Sequence, residues 1–310
     1  MIYVLFLFII TISAIEIGLR INGFKPWTEP GASFKTQPKG GFFQPDSLLG
    51  FRGRPGLYHC QIGDSLSFSI THDSAGFRST GSRKTSDPLP EIWIFGCSFT
   101  HGYGVDDHEA WPYIVQSRLP EYKVRNFGMT AYGTYQSFLL LKKLLKSGCV
   151  PNHVVYAYGT FHEQRNTASR FWRKAVQGQE AALGLKYAFL RDGKHRVEAL
   201  DYEPWPWQDF SALVHLAETW YNHQEEKRLQ SSKTTADLLK AMRTMVEDVG
   251  ANWTLAVVQG NTPTQMERSN IIGMQADLQN PMYRLSHEDG HPNALGHARM
   301  AELFLNQFKP

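Results

Sequence analysis

Cysteine is scarce. The chain of 310 residues holds three, Cys60, Cys97 and Cys149, and no two stand in a C-x-x-C pair. That spacing excludes a zinc ribbon and a thioredoxin-type redox centre, and an odd number fits poorly with a disulfide framework. Cys60 and Cys149 therefore read as buried or half-buried free thiols. Net charge is small as well, +3 with histidine neutral, and no basic cluster is interleaved with aromatics. On that balance nucleic acid is not an expected partner. Internal repeats and low-complexity tracts are missing, and after the first 21 residues no apolar run reaches spanning length. Against these absences stand 42% hydrophobic and 13% aromatic residues. That is enough for the core of one large domain or two small ones, and too much for a disordered chain.

The one long apolar run opens the chain. IYVLFLFIITISA is uncharged from residue 2 to 14, and the first charges are Glu16 and Arg20. A basic leading segment and a small-residue cleavage site are both missing, which argues against a cleaved secretory signal. The uninterrupted part is shorter than the ~20 residues a spanning helix uses, and Ile15, Ile17, Gly18 and Leu19 extend it. Residues 1–21 read as a single-pass membrane anchor or uncleaved signal with Arg20 at the far interface. The alternative is an apolar helix lying on the folded domain. With an anchor, everything after it lies on one side of the membrane.

Residues 22–90 are rich in Gly, Pro and Ser and contain short strand-like pieces. In LSFSITHDSAGFRS the apolar Leu66, Phe68 and Ile70 alternate, and Asp73-Ser74-Ala75-Gly76 then makes a turn. This segment reads as a linker followed by a small β-rich lead-in covering one edge of the main domain, closed by the polar SRKTSDPLP. From 91 to 310 short apolar runs alternate with helical spacings. Strands are predicted at 92–95 and in YKVRNFG, HVVYAYG and WTLAVVQG. Helices are predicted at 110–119 and in TYQSFLLLKKLLKSG, SALVHLAETWYNHQEEKRLQ, TTADLLKAMRTMVEDVG and NALGHARMAELFLNQF. Such alternation implies parallel β-α-β units, an α/β sheet with helices on both faces. Asp192-Gly193, between two alternating runs, predicts an inserted hairpin.

In an open parallel sheet the ligand site lies beyond the carboxyl ends of the strands. Here those ends carry Gly96-Cys97-Ser98, Asn126-Phe127-Gly128 and Gly159-Thr160-Phe161-His162-Glu163, and the final loop is HEDGHPNALGH. Convergence of these ends would bring Ser98, Gly128, His162 and His291 together. A serine becomes a nucleophile only when a base takes its proton and a third group orients that base. His291 is the best base, with Pro292 stiffening the backbone behind it and both Asp289 and Glu288 within reach. Ser98 at a strand-to-helix turn also presents backbone N–H groups where an oxyanion sits, and Gly128 allows a second to approach. Cys97, one residue earlier, points its side chain the opposite way, into the core. His101 reads as a rim residue, Asn126 as the shaper of its turn, and Glu163 with Arg165 as an ion pair fixing a loop. DYEPWPWQDF reads either as a sugar-stacking platform or as a Pro-fixed aromatic packing corner.

GCSFTHGYGV resembles the first block of the SGNH (GDSL-like) hydrolase family, RNFGMTAYGTYQ the second and DGHPNALGHARMAE the last. DSLLGFRGRPG and HDSAGFRS are similar to the lead-in of its membrane-anchored bacterial members. The resemblance implies a flavodoxin-like three-layer α/β/α sandwich with a parallel sheet, and ester or acyl chemistry with no metal or organic cofactor. By position it implies Ser98 as nucleophile, His291 as base, and Gly128 with the Ser98 amide in the oxyanion hole. Three departures stand out. Cys97 replaces the Asp that precedes the nucleophile, which is no member of the triad. The carboxylate three before the histidine is Glu288, while Asp289 lies two before and is preferred as the tighter support. The third block, Gly-x-Asn-Asp in the family, reads YGTFHEQRN, with Phe161 at the oxyanion Asn; His162 or Asn166 is the candidate substitute donor. A missing donor costs about 10²–10³ in rate. The expected substrate is a small-molecule or glycan ester, such as an O-acyl group of a cell-envelope or extracellular glycan, met on the periplasmic side. An O-acyltransferase, a silent glycan-binding protein, and a phospholipase or thioesterase on the same fold are the alternatives. Nothing in the sequence sets an oligomeric state.

Overall fold

The computed structural model describes residues 1–28, 34–81, 88–177, 185–263, 270–286 and 289–309. Helix α1, Ile2–Ile21, opens the chain, and none of its residues is buried. The lead-in follows as β1 (Phe34–Gln37), β2 (Phe43–Asp46), β3 (Gly50–Gly53), β4 (Gly56–Ile62) and β5 (Leu66–His72). β1, β4 and β5 form an antiparallel sheet, and β2 pairs with β3. The alternation along β5 buries Phe68 and Ile70 with Phe42, Tyr58 and Cys60 in a small core of their own. Burial pushes the Cys60 thiol up to about 12, so it stays protonated.

The main domain runs β6 (Glu91–Phe95), α2 (Ser98–His101), α3 (Trp111–Arg118), β7 (Lys123–Asn126), α4 (Thr134–Lys146), β8 (His153–Gly159) and α5 (His162–Asn166). It continues with α6 (Arg170–Val176), β9 (Tyr187–Arg191), β10 (Lys194–Glu198), α7 (Ala212–Arg228), α8 (Ser231–Asp248), β11 (Asn252–Gln259), β12 (Ile271–Gly273) and α9 (Ala294–Gln307). The five-stranded sheet has the order β7-β6-β8-β11-β12 and is parallel throughout. Counted by sequence that is 2-1-3-4-5, the flavodoxin-like order, whose topological switch falls between β6 and β8.

Why EIWIF becomes the central strand is visible in its two faces. Side chains alternate across a strand. Ile92 and Ile94 pack with Trp111 and Val115 of α3 and Phe304 of α9. Trp93 and Phe95 pack the other way, with Leu140 and Leu141 of α4 and Leu239 and Met242 of α8. With helices on both faces the strand has no solvent side, so it is apolar at every inner position. The result is a three-layer α/β/α sandwich. Asp192 and Gly193 both take positive φ, 52° and 70°, in the tight turn joining β9 to β10.

Some features differ from expectation. β12 is three residues long, too short to leave an alternating pattern. Cys149 is exposed instead of half-buried, because α4 ends at the surface just before it. Residues 24–27, expected as linker, are packed on the domain: the Trp27 amide donates to the Gln208 carbonyl (2.9 Å), and His215 Nδ1 lies 2.9 Å from the Lys25 carbonyl.

Candidate active site

Gly96, directly after β6, is glycine for a steric reason: a β-carbon there would lie 2.2 Å from Thr100 Oγ1. The chain then turns directly into α2, with Cys97 in extended conformation as its N-cap and Gly102 (φ 83°) ending it. Cys97 is sealed in the α3/α9 core, and Ser98 faces the opposite way at 2% exposure. Ser98 is the first residue of α2, where amides have no acceptor within the helix.

The loop before α9 approaches this turn from the other side. Arg284 and Pro292 form an antiparallel bridge. The Leu285 amide donates to the His291 carbonyl (2.9 Å), and the Asp289 amide to Ser286 Oγ (3.0 Å). Asn293 secures the exit, its side-chain amide donating to the Met282 and Arg284 carbonyls while its Oδ1 caps Gly296 N. The loop thus presents His291 with Nε2 2.9 Å from Ser98 Oγ and Nδ1 2.6 Å from Asp289 Oδ1. The same carboxylate oxygen also accepts the His291 backbone N–H at 3.0 Å. Burial works against the Asp289 charge, but the hydrogen bonds and charge of His291 outweigh it and hold the carboxyl below its usual value. A carboxylate on Nδ1 places the proton there and leaves the Nε2 lone pair for the serine hydroxyl. Phe99 and Tyr103 enclose the imidazole at ring distances of 5.5 and 4.8 Å. Burial and then the Asp289 charge push the Tyr103 hydroxyl up, so it stays neutral. Glu288, the alternative support for His291, lies outside the described residues.

The expected oxyanion donors fare unevenly. The Gly128 N–H already donates to Asn126 Oδ1 at 3.0 Å, so it would have to exchange that acceptor for an oxyanion. What demands glycine there is packing, since a β-carbon would lie 2.6 Å from Thr100 Cβ and 2.8 Å from His101 N. Phe161 fills the third-block position with its ring 5.4 Å from that of Phe99 and the Arg165 guanidinium 4.5 Å from its centroid. His162 is wholly buried at the start of α5. Its Nδ1 pairs with the Tyr156 hydroxyl (2.9 Å) and takes the Gly159 N–H (3.4 Å), while its Nε2 is buried with no partner among the described residues. Burial first, and then the charge of Arg165, keep this imidazole neutral. With Nδ1 accepting, its proton sits on Nε2, an unmatched buried donor.

Four expectations need correcting. Asn166 does not reach the site: its Oδ1 accepts the Tyr135 amide (2.9 Å) and its Nδ2 donates to Thr235 Oγ1 (2.7 Å), tying α4, α5 and α8 together. His101 is no rim residue; it is the fully buried last residue of α2, with Nε2 2.8 Å from His72 Nε2 and Nδ1 3.3 Å from Thr130 Oγ1. Glu163 and Arg165 take separate partners, Glu163 the Tyr158 and Ser232 hydroxyls and Arg165 the Tyr132 carbonyl. DYEPWPWQDF is a packed corner only in part: Tyr202 and Trp205 are half-buried and Gln208 buried, but Trp207 is 73% and Phe210 72% exposed.

One contributor went unnoticed in the sequence. Arg78, fully buried just after β5, spends most of its donors on the segment that follows the nucleophile. Nε bonds Asp107 (2.6 Å), Nη1 the His101 and Gly102 carbonyls (3.0 and 2.8 Å), and Nη2 the Val105 and Ser69 carbonyls (2.9 and 3.3 Å). A guanidinium is the one side chain able to serve so many acceptors in one plane. Arg78 also bridges to Asn126 at the end of edge strand β7. Its only signal in sequence was its place in HDSAGFRS.

No family model matches this chain, and no curated protein does. Among solved structures it is similar to the esterase EstA from a Pseudoalteromonas species, at 12% identity and TM-score 0.42 over 70% of this chain and 94% of that one. It is also similar to a lipolytic protein of the G-D-S-L family from Veillonella parvula (13%, 0.39, 71% and 98%). A third is the acetylxylan esterase Axe2 from Geobacillus stearothermophilus (13%, 0.30, 73% and 98%).

Proposed function

We propose that this chain is a serine esterase of the SGNH type, with Ser98 as nucleophile, His291 as general base and Asp289 as the group that orients it. The observation that carries the reading is the unbroken line Asp289 Oδ1–His291–Ser98 Oγ, at 2.6 and 2.9 Å, at the carboxyl end of the first sheet strand. In this reading Ser98 Oγ attacks the ester carbonyl as its proton passes to His291 Nε2. The carbonyl oxygen takes the negative charge and meets the Ser98 amide and the Nε2–H of His162. Collapse expels the alcohol, which collects the proton from Nε2 and leaves an acyl-serine. Water repeats the sequence, giving a proton to Nε2 and its oxygen to the acyl carbon, and the carboxylic acid departs as Ser98 regains its proton. Asp289, ionised, stabilises the imidazolium formed twice in the cycle.

The enclosure of His291 by Phe99 and Tyr103, and the low exposure of Ser98, favour a short acyl group on an accessible alcohol. An O-acyl group on a glycan of the cell envelope fits, with the domain held on the periplasmic face by α1. Turnover of p-nitrophenyl acetate by the full chain tests the chemistry. Ser98→Ala is expected to lower kcat on the order of 10³-fold or more, and equal turnover by both proteins would overturn it. Phe161, packed on Phe99 where the family's donor Asn would be, favours a second reading, a catalytically silent binding protein. Failure of a fluorophosphonate to label Ser98 while glycan binding persists would select that reading.

A further inference from the structure

α1 carries two charges, Glu16 and Arg20, and both are spent on the folded domain. Glu16 Oε2 accepts the Ser211 hydroxyl (2.8 Å) and the Leu213 amide (2.9 Å), and Oε1 accepts the Ala212 amide (2.9 Å) and Arg20 Nε (2.6 Å). Ser211 is the N-cap of α7, so a carboxylate from 195 residues away caps that helix where its amides are free and its dipole is positive. Arg20 Nη2 reaches the Phe210 carbonyl at 2.5 Å. The chain beyond α1 continues the contact: Phe24 packs on His215 with centroids 5.6 Å apart, and the Lys174 ammonium stands 4.9 Å from the Trp27 ring. Residues 2–15 of α1 are exposed throughout. At 20 residues the helix is about 30 Å long, the thickness of a bilayer's hydrocarbon core, and its exposed residues 2–15 are free to meet lipid. Trp207 and Phe210, the most exposed aromatics of DYEPWPWQDF, stand beside this junction. Trp207, with an apolar ring and a polar N–H, suits the boundary between headgroup and acyl chain, and the apolar Phe210 beside it suits the acyl side.

We infer that α1 is a retained, docked part of the fold, joined rigidly to α7 through Glu16 and Arg20, and that Trp207 and Phe210 form an interaction surface for the lipid–water boundary of a bilayer. Cleavage of α1 would strip the cap from α7, so the helix serves the domain as well as the membrane. The inference rests on the anchor reading and is independent of the ester chemistry.

The test uses the full chain, with Cys149→Ser as background because Cys60 and Cys97 are buried. It is reconstituted in phosphatidylethanolamine/phosphatidylglycerol vesicles carrying a shallow doxyl lipid. Fluorophores are attached singly at Leu7→Cys, Trp207→Cys, Phe210→Cys and, on the turn between β9 and β10, Gly193→Cys. Quenching is expected at positions 7, 207 and 210 and at background level at 193. Quenching at 7 alone would overturn the aromatic surface and leave the anchor standing; no quenching at 7 would overturn both. The junction has its own readout, chymotrypsin cleavage after Trp27. Glu16→Leu should speed this at least tenfold with Glu16→Asp in between, and an unchanged rate would overturn the dock. A Glu16→Cys/Ser211→Cys pair should oxidise to a disulfide in the vesicle-bound chain, and its failure to form would overturn the dock as well.

Discussion

Asp289 lies within 3.0 Å of two N–H groups of one residue, and an asparagine there would keep the shape while losing the charge that both reward. In the proposed mechanism Asp289→Asn should lower kcat by roughly 10³–10⁴-fold through the wrong imidazole tautomer. Stability should change little, which a thermal melt beside the kinetics would check. Phe161→Asn probes the opposite direction. An amide donor in place of the ring is expected to raise kcat by about tenfold or more while costing roughly 1–2 kcal/mol from the lost Phe99 and Arg165 contacts. A Tm that falls with no gain in kcat would remove the oxyanion role from that position. The residues that could be read from the sequence were those whose neighbours in the chain define them. Ser98 is delivered by a turn that Gly96 makes possible, and His291 has its carboxylate two positions away. His101 and Asn166 could not be placed in that way, because their partners are His72, Tyr135 and Thr235, chosen by packing between distant segments.

At the scale of elements, α2 is held from below by the lead-in. Arg78→Lys would leave most of the bonds to the His101, Gly102, Val105 and Ser69 carbonyls unmade and Asp107 underpaired. A loss of about 3 kcal/mol is expected from chemical denaturation. Kinetically kcat should fall more than KM rises, since the turn bearing Tyr103 packs on His291 and not on substrate specificity elements. The His72–His101 contact between β5 and α2 adds a pH dependence. Burial lowers His72 to about 4; the charge of Arg78 helps, while its bond to the Arg54 carbonyl and the charges of Asp107 and Asp73 oppose. Below about pH 6.5 the unfolded imidazole takes up a proton that the folded one refuses until about pH 4. Stability is therefore complete above that window and falls as pH drops through it, by roughly 3 kcal/mol from this group. His101 and His297, also lowered by burial, act in the same sense. Guanidinium midpoints between pH 7 and 4.5 should show the slope, and His72→Gln should flatten it. The alternation of strands and helices was plain in the sequence because each element carries its own period. The clamp from β5 onto α2 was not, since an arginine buried by backbone carbonyls looks in sequence like any surface arginine.

The whole molecule is tied together by two residues of its N-terminal part, Arg78 reaching forward to the nucleophile's turn and Glu16 of α1 reaching across to α7. A chain shortened to begin at residue 22 should lose stability by about 1–2 kcal/mol, the worth of an N-cap, with p-nitrophenyl acetate turnover largely kept. One shortened to begin at residue 91 should lose turnover, because Arg78 goes with the removed part. Calorimetry and kinetics on the two would separate these roles.

Glu16 also sets an order of events in biosynthesis. Its carboxylate is made early, yet the amides and hydroxyl that satisfy it lie about 195 residues downstream, which at ribosomal speeds is a delay of roughly 10–40 s. Through that interval Arg20 is its one charged neighbour on the helix. The junction therefore cannot close before the start of α7 has emerged. A chain that stops short of Ser211 leaves this carboxylate with no partner but Arg20.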